Sequence, residues 1–195
     1  MFYKPQDGHD LPHNPFSAIV SPRPIGWISS RSHDGINNLA PYSFFNAVAY
    51  TPPQVMFASG SLKDSVKNAR DTGYFCVNIV GADMADIMNL SSETLPSDVD
   101  EFAHSGAIKT DCSEIPAARV LGAPAALECV TTQVMNLPKG SGFAVFGEVV
   151  GVHLRNDCVI NGRFDVPTAR TLSRLGYRDY AEVKEVFELI RPDEK

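Results

Sequence analysis

The run Ala58-Ser-Gly-Ser-Leu-Lys-Asp-Ser65 places three hydroxyls and a cation within eight residues. Leu62, Val66 and Ala69 follow at helical spacing, which predicts a helix over Ser61–Arg70. Ser61 and Asp64 stand at capping-box spacing, with Asp in place of the usual Glu, and Gly73 stands where a helix ends. A helix start offers unpaired N–H groups and the positive end of the helix dipole. Gly60 allows close approach to the backbone, Ser59, Ser61 and Ser65 can donate, and Lys63 supplies charge. That set suits a phosphate. A plain helix cap with solvated neighbours would use the same residues, so this run alone leaves both readings open.

A second run, Asn37-Asn-Leu-Ala-Pro-Tyr-Ser-Phe-Phe-Asn46, mixes amides, a hydroxyl, aromatics and a proline. It could present backbone groups to a flat heteroaromatic ligand, or be a buried strand with an irregular start. In Trp27-Ile-Ser-Ser30, Trp27 could stack on a ligand, although a lone Trp is usually core. Ser29 and Ser30 could bond a ring edge or simply fill strand positions. His9 and His13 have i,i+4 spacing, but Pro12 lies between them, so no metal site is expected. No phosphate-binding P-loop, dinucleotide fingerprint or nucleophile elbow is present. No residue is assigned as a general acid, base or nucleophile.

The elements around these runs read mainly as β. Strands are expected at Phe16–Val20, Ile25–Ser30, Gln54–Ser59, Tyr74–Val80, Ala125–Met135, Phe143–Leu154 and Val186–Ile190. Asp34-Gly35 and Asn161-Gly162 mark turns. Short helices are expected within Gly81–Asn89 and Asp98–His104, and Tyr180–Lys184 is ambiguous. Residues 1–15 read as an extended arm. Many short, turn-separated strands without βα alternation argue for an antiparallel barrel. No repeat or linker divides residues 1–195, so a single domain is expected.

Composition narrows the function classes. The chain is 44% hydrophobic and 21% charged, with a net charge of −6 and scattered basic residues. That is globular composition and lacks the clustered Lys and Arg of a nucleic-acid footprint. The start has no apolar signal region, and no apolar run reaches membrane-spanning length. Cys76, Cys112, Cys129 and Cys158 form no C-x-x-C pair and read as small apolar residues, in keeping with a cytoplasmic protein.

Taken in order, several segments resemble the flavin reductase-like FMN-binding family. They are Pro22-Arg-Pro-Ile-Gly-Trp-Ile-Ser-Ser30, Gly35 with Asn38-Leu-Ala-Pro-Tyr-Ser-Phe-Phe-Asn46, Pro52-Pro53, Lys63-Asp-Ser65, Phe75-Cys-Val-Asn78, Phe146-Gly-Glu-Val149, and Arg174-Leu-Gly-Tyr-Arg-Asp-Tyr180 leading to Phe187-Glu-Leu. The resemblance spans roughly residues 15–192.

It implies an antiparallel split β-barrel that binds FMN and acts as a homodimer with flavin at or near the interface. Trp27, Ser29, Ser30, Ala40, Tyr42, Ser43, Phe44, Phe45 and Asn46 would then lie along the ring and ribityl chain. Ser59, Ser61, Lys63 and Ser65 would hold the phosphate, and Tyr177 would close over the ring. Where many relatives carry a His before the F-G-E-V strand, this chain has Gly142. The electron donor, NAD(P)H or a protein such as a ferredoxin or rubredoxin, is therefore open. The implied activity is oxidoreduction from a donor through FMN to a small acceptor such as free flavin or ferric iron. The alternative is a non-catalytic FMN-binding or electron-transfer flavoprotein.

Overall fold

The computed structural model describes residues 1–194. After the irregular first residues come α1 (Phe16–Ile19) and strands β1 (Arg23–Pro24), β2 (Gly26–Arg31), β3 (Asn37–Tyr42), β4 (Phe45–Tyr50) and β5 (Pro53–Ser59). Next are α2 (Asp64–Thr72), β6 (Tyr74–Ile79), α3 (Ala85–Leu90) and α4 (Glu101–Ser105). The chain continues through β7 (Lys109–Asp111), β8 (Ala118–Val120), β9 (Ala125–Asn136), β10 (Phe143–Leu154), β11 (Val159–Ile160) and β12 (Arg163–Phe164). It ends with α5 (Val166–Ala169), β13 (Leu172–Arg174) and β14 (Tyr180–Glu182).

Seven strands form one antiparallel sheet in the order β3-β2-β6-β9-β10-β5-β4. Its two edge strands, β3 and β4, are consecutive in the chain and joined at Ser43-Phe44. The sheet must therefore curl until its edges meet. Register shifts in the β9–β10 and β4–β5 ladders mark bulges, which bend and twist strands. Among the described residues no ladder joins β3 to β4, so the result is an antiparallel split barrel. The Tyr42 ring of β3 meets the Phe57 ring of β5 across the gap, 4.9 Å apart, while the Phe44 carbonyl, accepting from Ala58 N at 2.7 Å, carries the β4–β5 ladder up to the turn.

One core lies inside the curl, where Ile28, Phe45, Phe57, Phe75, Val77 and Val145 pack with Val66 and Ala69 of α2. A second lies outside it, where Trp27, Leu39 and Val80 meet Met88 of α3 and Phe102 of α4. Strand β2 serves both, which explains why Gly26–Ser30 is buried without alternation. A separate three-stranded sheet, β1-β13-β14, folds the Arg174–Tyr180 segment back over β1. Among the described residues no helix is long and apolar enough to cross a membrane.

Three local expectations are corrected. Phe16–Ile19 is helical, because the Asn14 side chain caps Phe16 N at 2.9 Å and the Pro15 carbonyl accepts from Ala18 and Ile19. Helix α2 starts at Asp64 and has no side-chain cap. Ser61 instead turns the chain ahead of it, its carbonyl accepting from Ser59 Oγ and Lys63 N. Val186–Ile190 is not a strand, since no sheet edge pairs with it, and the ambiguous segment supplies β14.

Candidate functional site

Two adjoining cavities lie along β3 and the Ser43-Phe44 turn that follows it. The larger, about 620 Å³, lies on Ile25, Pro41, Ser43 and Phe44 and is walled by Met88 and Asn89 and by the segment from Arg174 to Tyr180. The smaller, about 220 Å³, lies between Ala40 and Tyr42, the start of α2 at Leu62–Ser65, and the loop Ser91–Leu95. Ser92 borders both, so they form one groove with a polar end at α2 and a wider end under the Arg174–Tyr180 segment.

The polar end rests on a buried network. Ser65 Oγ donates to Asn38 Oδ1 at 2.7 Å, and Asn38 Nδ2 donates to Glu101 Oε1 at 2.6 Å. Two buried oxygens there find no partner among the described residues, Tyr42 Oη and Glu101 Oε2. The Tyr42 hydroxyl lies near those of Ser59 and Ser65 without meeting hydrogen-bond geometry to either. Burial pushes the Tyr42 phenol and the Glu101 carboxyl above their usual ranges. A buried polar atom left unpaired costs about 1–3 kcal/mol, and the residues that carry these two line the smaller cavity. Lys63 is exposed beside them and joins no ion pair among the described residues.

The structure brings together seven of the residues singled out in the sequence. Ser43, Phe44 and Tyr177 line the wide end, and Ala40, Tyr42, Lys63 and Ser65 line the polar end. The other seven lie off the cavity walls. Trp27 is fully buried and donates from Nε1 to Ser91 Oγ at 2.8 Å, anchoring the Ser91–Leu95 wall from behind. Ser29 bonds the Ala118 carbonyl, and Ser30 accepts from Asn68 in the network under the polar end. Phe45 belongs to the inner core, and Asn46 Oδ1 accepts from Ala47 N on the outer face. Ser59 and Ser61 shape the turn before α2.

Sequence reading passed over the Ser91-Ser-Glu-Thr loop, although a hydroxyl-rich stretch between two short helices was a usable signal. It also passed over Arg23, which only the β1–β13 pairing brings to the wide end.

Gly142 is explained by packing. It holds φ +129°, and a Cβ there would stand 2.1 Å from the Ser59 carbonyl oxygen. There is no open space beside it: the loop before β10 lies against the turn that leads into α2. Any side chain at this position, an imidazole included, would displace that turn.

A seamed antiparallel sheet with a groove along the seam defines the split-barrel class. The chain belongs to the flavin reductase-like family, whose Flavin reductase like domain matches residues 19–166. A protein of Deinococcus radiodurans is 36% identical over 188 residues, covering 90% of this chain and 82% of that protein. Nitrilotriacetate monooxygenase component B from Bacillus cereus superposes with a TM-score of 0.89 at 27% identity, over 97% of this chain and 98% of that one. The 2-nitrobenzoate 2-nitroreductase of Pseudomonas fluorescens superposes with a TM-score of 0.83 at 30% identity, over 91% and 88% of the two chains.

Proposed function

We propose that the chain, folded as one domain, binds FMN along this groove and works in the cytoplasm as a homodimeric, FMN-dependent oxidoreductase. It would pass electrons from a reduced donor through the flavin to a small acceptor, such as free flavin or ferric iron. The observation that carries this reading is the groove's polarity. One end offers Lys63, Ser65 and the unpartnered Tyr42 hydroxyl at a helix start, and the other is wide enough for a planar ring. The family membership supports flavin as the ligand.

Bound there, FMN supplies the electron-carrying chemistry, and the protein supplies position and electrostatics. Lys63 places a point charge at the phosphate, Tyr42 Oη and Ser65 Oγ offer hydroxyls, and the Pro41–Phe44 run borders the ring. Tyr177 shields the wide end. The loop that carries it is pinned rather than loose: Gly176 packs so closely on α1 that a Cβ would meet Ala18 Cβ at 2.4 Å. A homodimer is supported by the apolar side chains that β4 exposes, with Tyr50 at 99% exposure and Val48 at 48%.

Titration with FMN and riboflavin tests the assignment. FMN should bind more tightly, and equal affinities would remove the phosphate site. Anaerobic bleaching of the bound flavin by NADH or NADPH would identify a nicotinamide-dependent reductase. Bleaching by dithionite alone would favour a protein donor or the electron-transfer alternative.

A further inference from the structure

Arg23 on β1 and Arg174 on β13 are directly opposite each other in an antiparallel ladder. Cross-strand partners have Cβ atoms about 4.5–5.5 Å apart, and like charges in that position destabilise a sheet. Both side chains line the wide end of the groove, with Arg178 beside them, and no carboxylate lines it. Elsewhere Arg31, Arg70, Arg155 and Arg170 each meet an Asp or Glu. These two meet only neutral groups among the described residues. Arg23 donates to the carbonyls of Ser17, Val20 and Leu175, and Arg174 to Tyr180 Oη and the Tyr177 carbonyl. Arg23 is only 8% exposed, and its Nε has no partner. Burial, and then the Arg174 charge, make the Arg23 guanidinium a less comfortable cation than usual. Two like charges facing a cavity, one of them nine-tenths buried, leave a cost that an anion from outside would offset.

We propose that the Arg23–Arg174 pair is an oxyanion subsite, and that the flavin's reaction partner binds there through a carboxylate or phosphate group. This rests on the flavin reading above, since it places the partner beside the ring end of the groove. The charge pair orients that partner, and Arg174 is the more exposed member, while Arg23 also holds α1 and the Leu175 carbonyl in place.

The FMN-saturated full chain is titrated with benzoate and with its neutral isostere benzamide, read by perturbation of the flavin absorbance. Inorganic pyrophosphate is titrated as a second anion. Benzoate or pyrophosphate should bind at least about tenfold more tightly than benzamide, the scale of one charge-assisted hydrogen bond. Arg174→Gln should bring that ratio close to one, and Arg174→Lys should keep most of it. Arg23→Lys, which preserves charge without the fork of donors, should lower it less than Arg174→Gln does. A preference for benzoate points to an organic-acid acceptor, and one for pyrophosphate to a dinucleotide donor.

Equal binding of the anions and benzamide by the unmodified chain would overturn the proposal. So would an unchanged ratio in Arg174→Gln. FMN binding is measured first, by fluorescence. Its failure sinks the flavin reading alone, and the same ligands and variants are then titrated into the flavin-free chain by calorimetry under the same criteria.

Discussion

Glu128 on β9 and Glu101 at the start of α4 are both buried, yet one is saturated and the other keeps a bare oxygen. Glu128 accepts from the backbone N–H groups of Ser113, Glu114 and Ile115 at 2.7–3.2 Å, and from His153 Nε2. Burial alone would raise its carboxyl, but these bonds outweigh it and hold the group below the usual range. Glu101 accepts from Asn38, keeps Oε2 unpaired, and is pushed above the usual range by burial. The difference separates two uses of one residue type. Where the fold needs a staple, the protein completes the hydrogen bonding itself. At the groove, it leaves the completion to something else.

The strongest way to break this contrast is Glu128→Ala. It would strand three N–H donors and His153, and should cost roughly 3–5 kcal/mol, as removal of one partner from a buried pair does. Denaturant unfolding measures it, and flavin affinity in whatever remains folded should be intact. The sign with pH follows from the lowered carboxyl. Its contribution is present above the ordinary carboxylate range and is lost as pH falls through the depressed folded value.

Lys63→Ala tests the open end. A hydrogen bond to a charged group contributes about 1.5–3 kcal/mol, so FMN affinity should fall roughly 10- to 100-fold while riboflavin binding stays nearly constant. Equal losses for both ligands in a fluorescence titration would mean that Lys63 serves the fold. Glu101→Gln mimics the protonated form. The Glu101 contribution is present below the ordinary carboxylate range and is lost as pH rises through the raised folded value. The variant should therefore flatten that decline. Melting curves against pH would show it, and an unchanged slope would place the titration elsewhere. The smallest effect on stability should come from Tyr177→Ala. Iodide quenching of bound flavin should rise while the melting temperature falls only modestly. The reverse would make Tyr177 a packing residue, like the residues around Glu128.

The parts of this contrast that were legible in the sequence are those set by local pattern. Turn-bounded runs of β-forming residues pointed to β2, β6, β9 and β10, and the Lys63–Ser65 segment stands at a helix start. Burial on both faces of β2 was not legible, because it depends on α3 and α4 packing from outside. Trp27, Ser29 and Ser30 could therefore read equally as ligand contacts or as strand positions, and in the structure they bond Ser91, the Ala118 carbonyl and Asn68. Glu128 and His153 lie 25 residues apart and meet only through the β9–β10 register, so their pairing left no local trace. Arg23 and Arg174 are separated further still. The missing capping box at Ser61 has the opposite origin: the local pattern was present, and the close approach of the Gly142 loop coincides with a different turn.

The seam between β3 and β4 has a kinetic consequence. Every other neighbour pair in the seven-stranded sheet is laced by a ladder, so parting it means breaking a row of backbone bonds together. At the seam no such row exists among the described residues, and the Tyr42 ring of β3 meets the Phe57 ring of β5 across it. Passage into the groove then requires side chains to rotate and water to leave, motions far faster than the unzipping of strands. Residence time at such a site is set by the ligand's own contacts, while the scaffold around it stays shut.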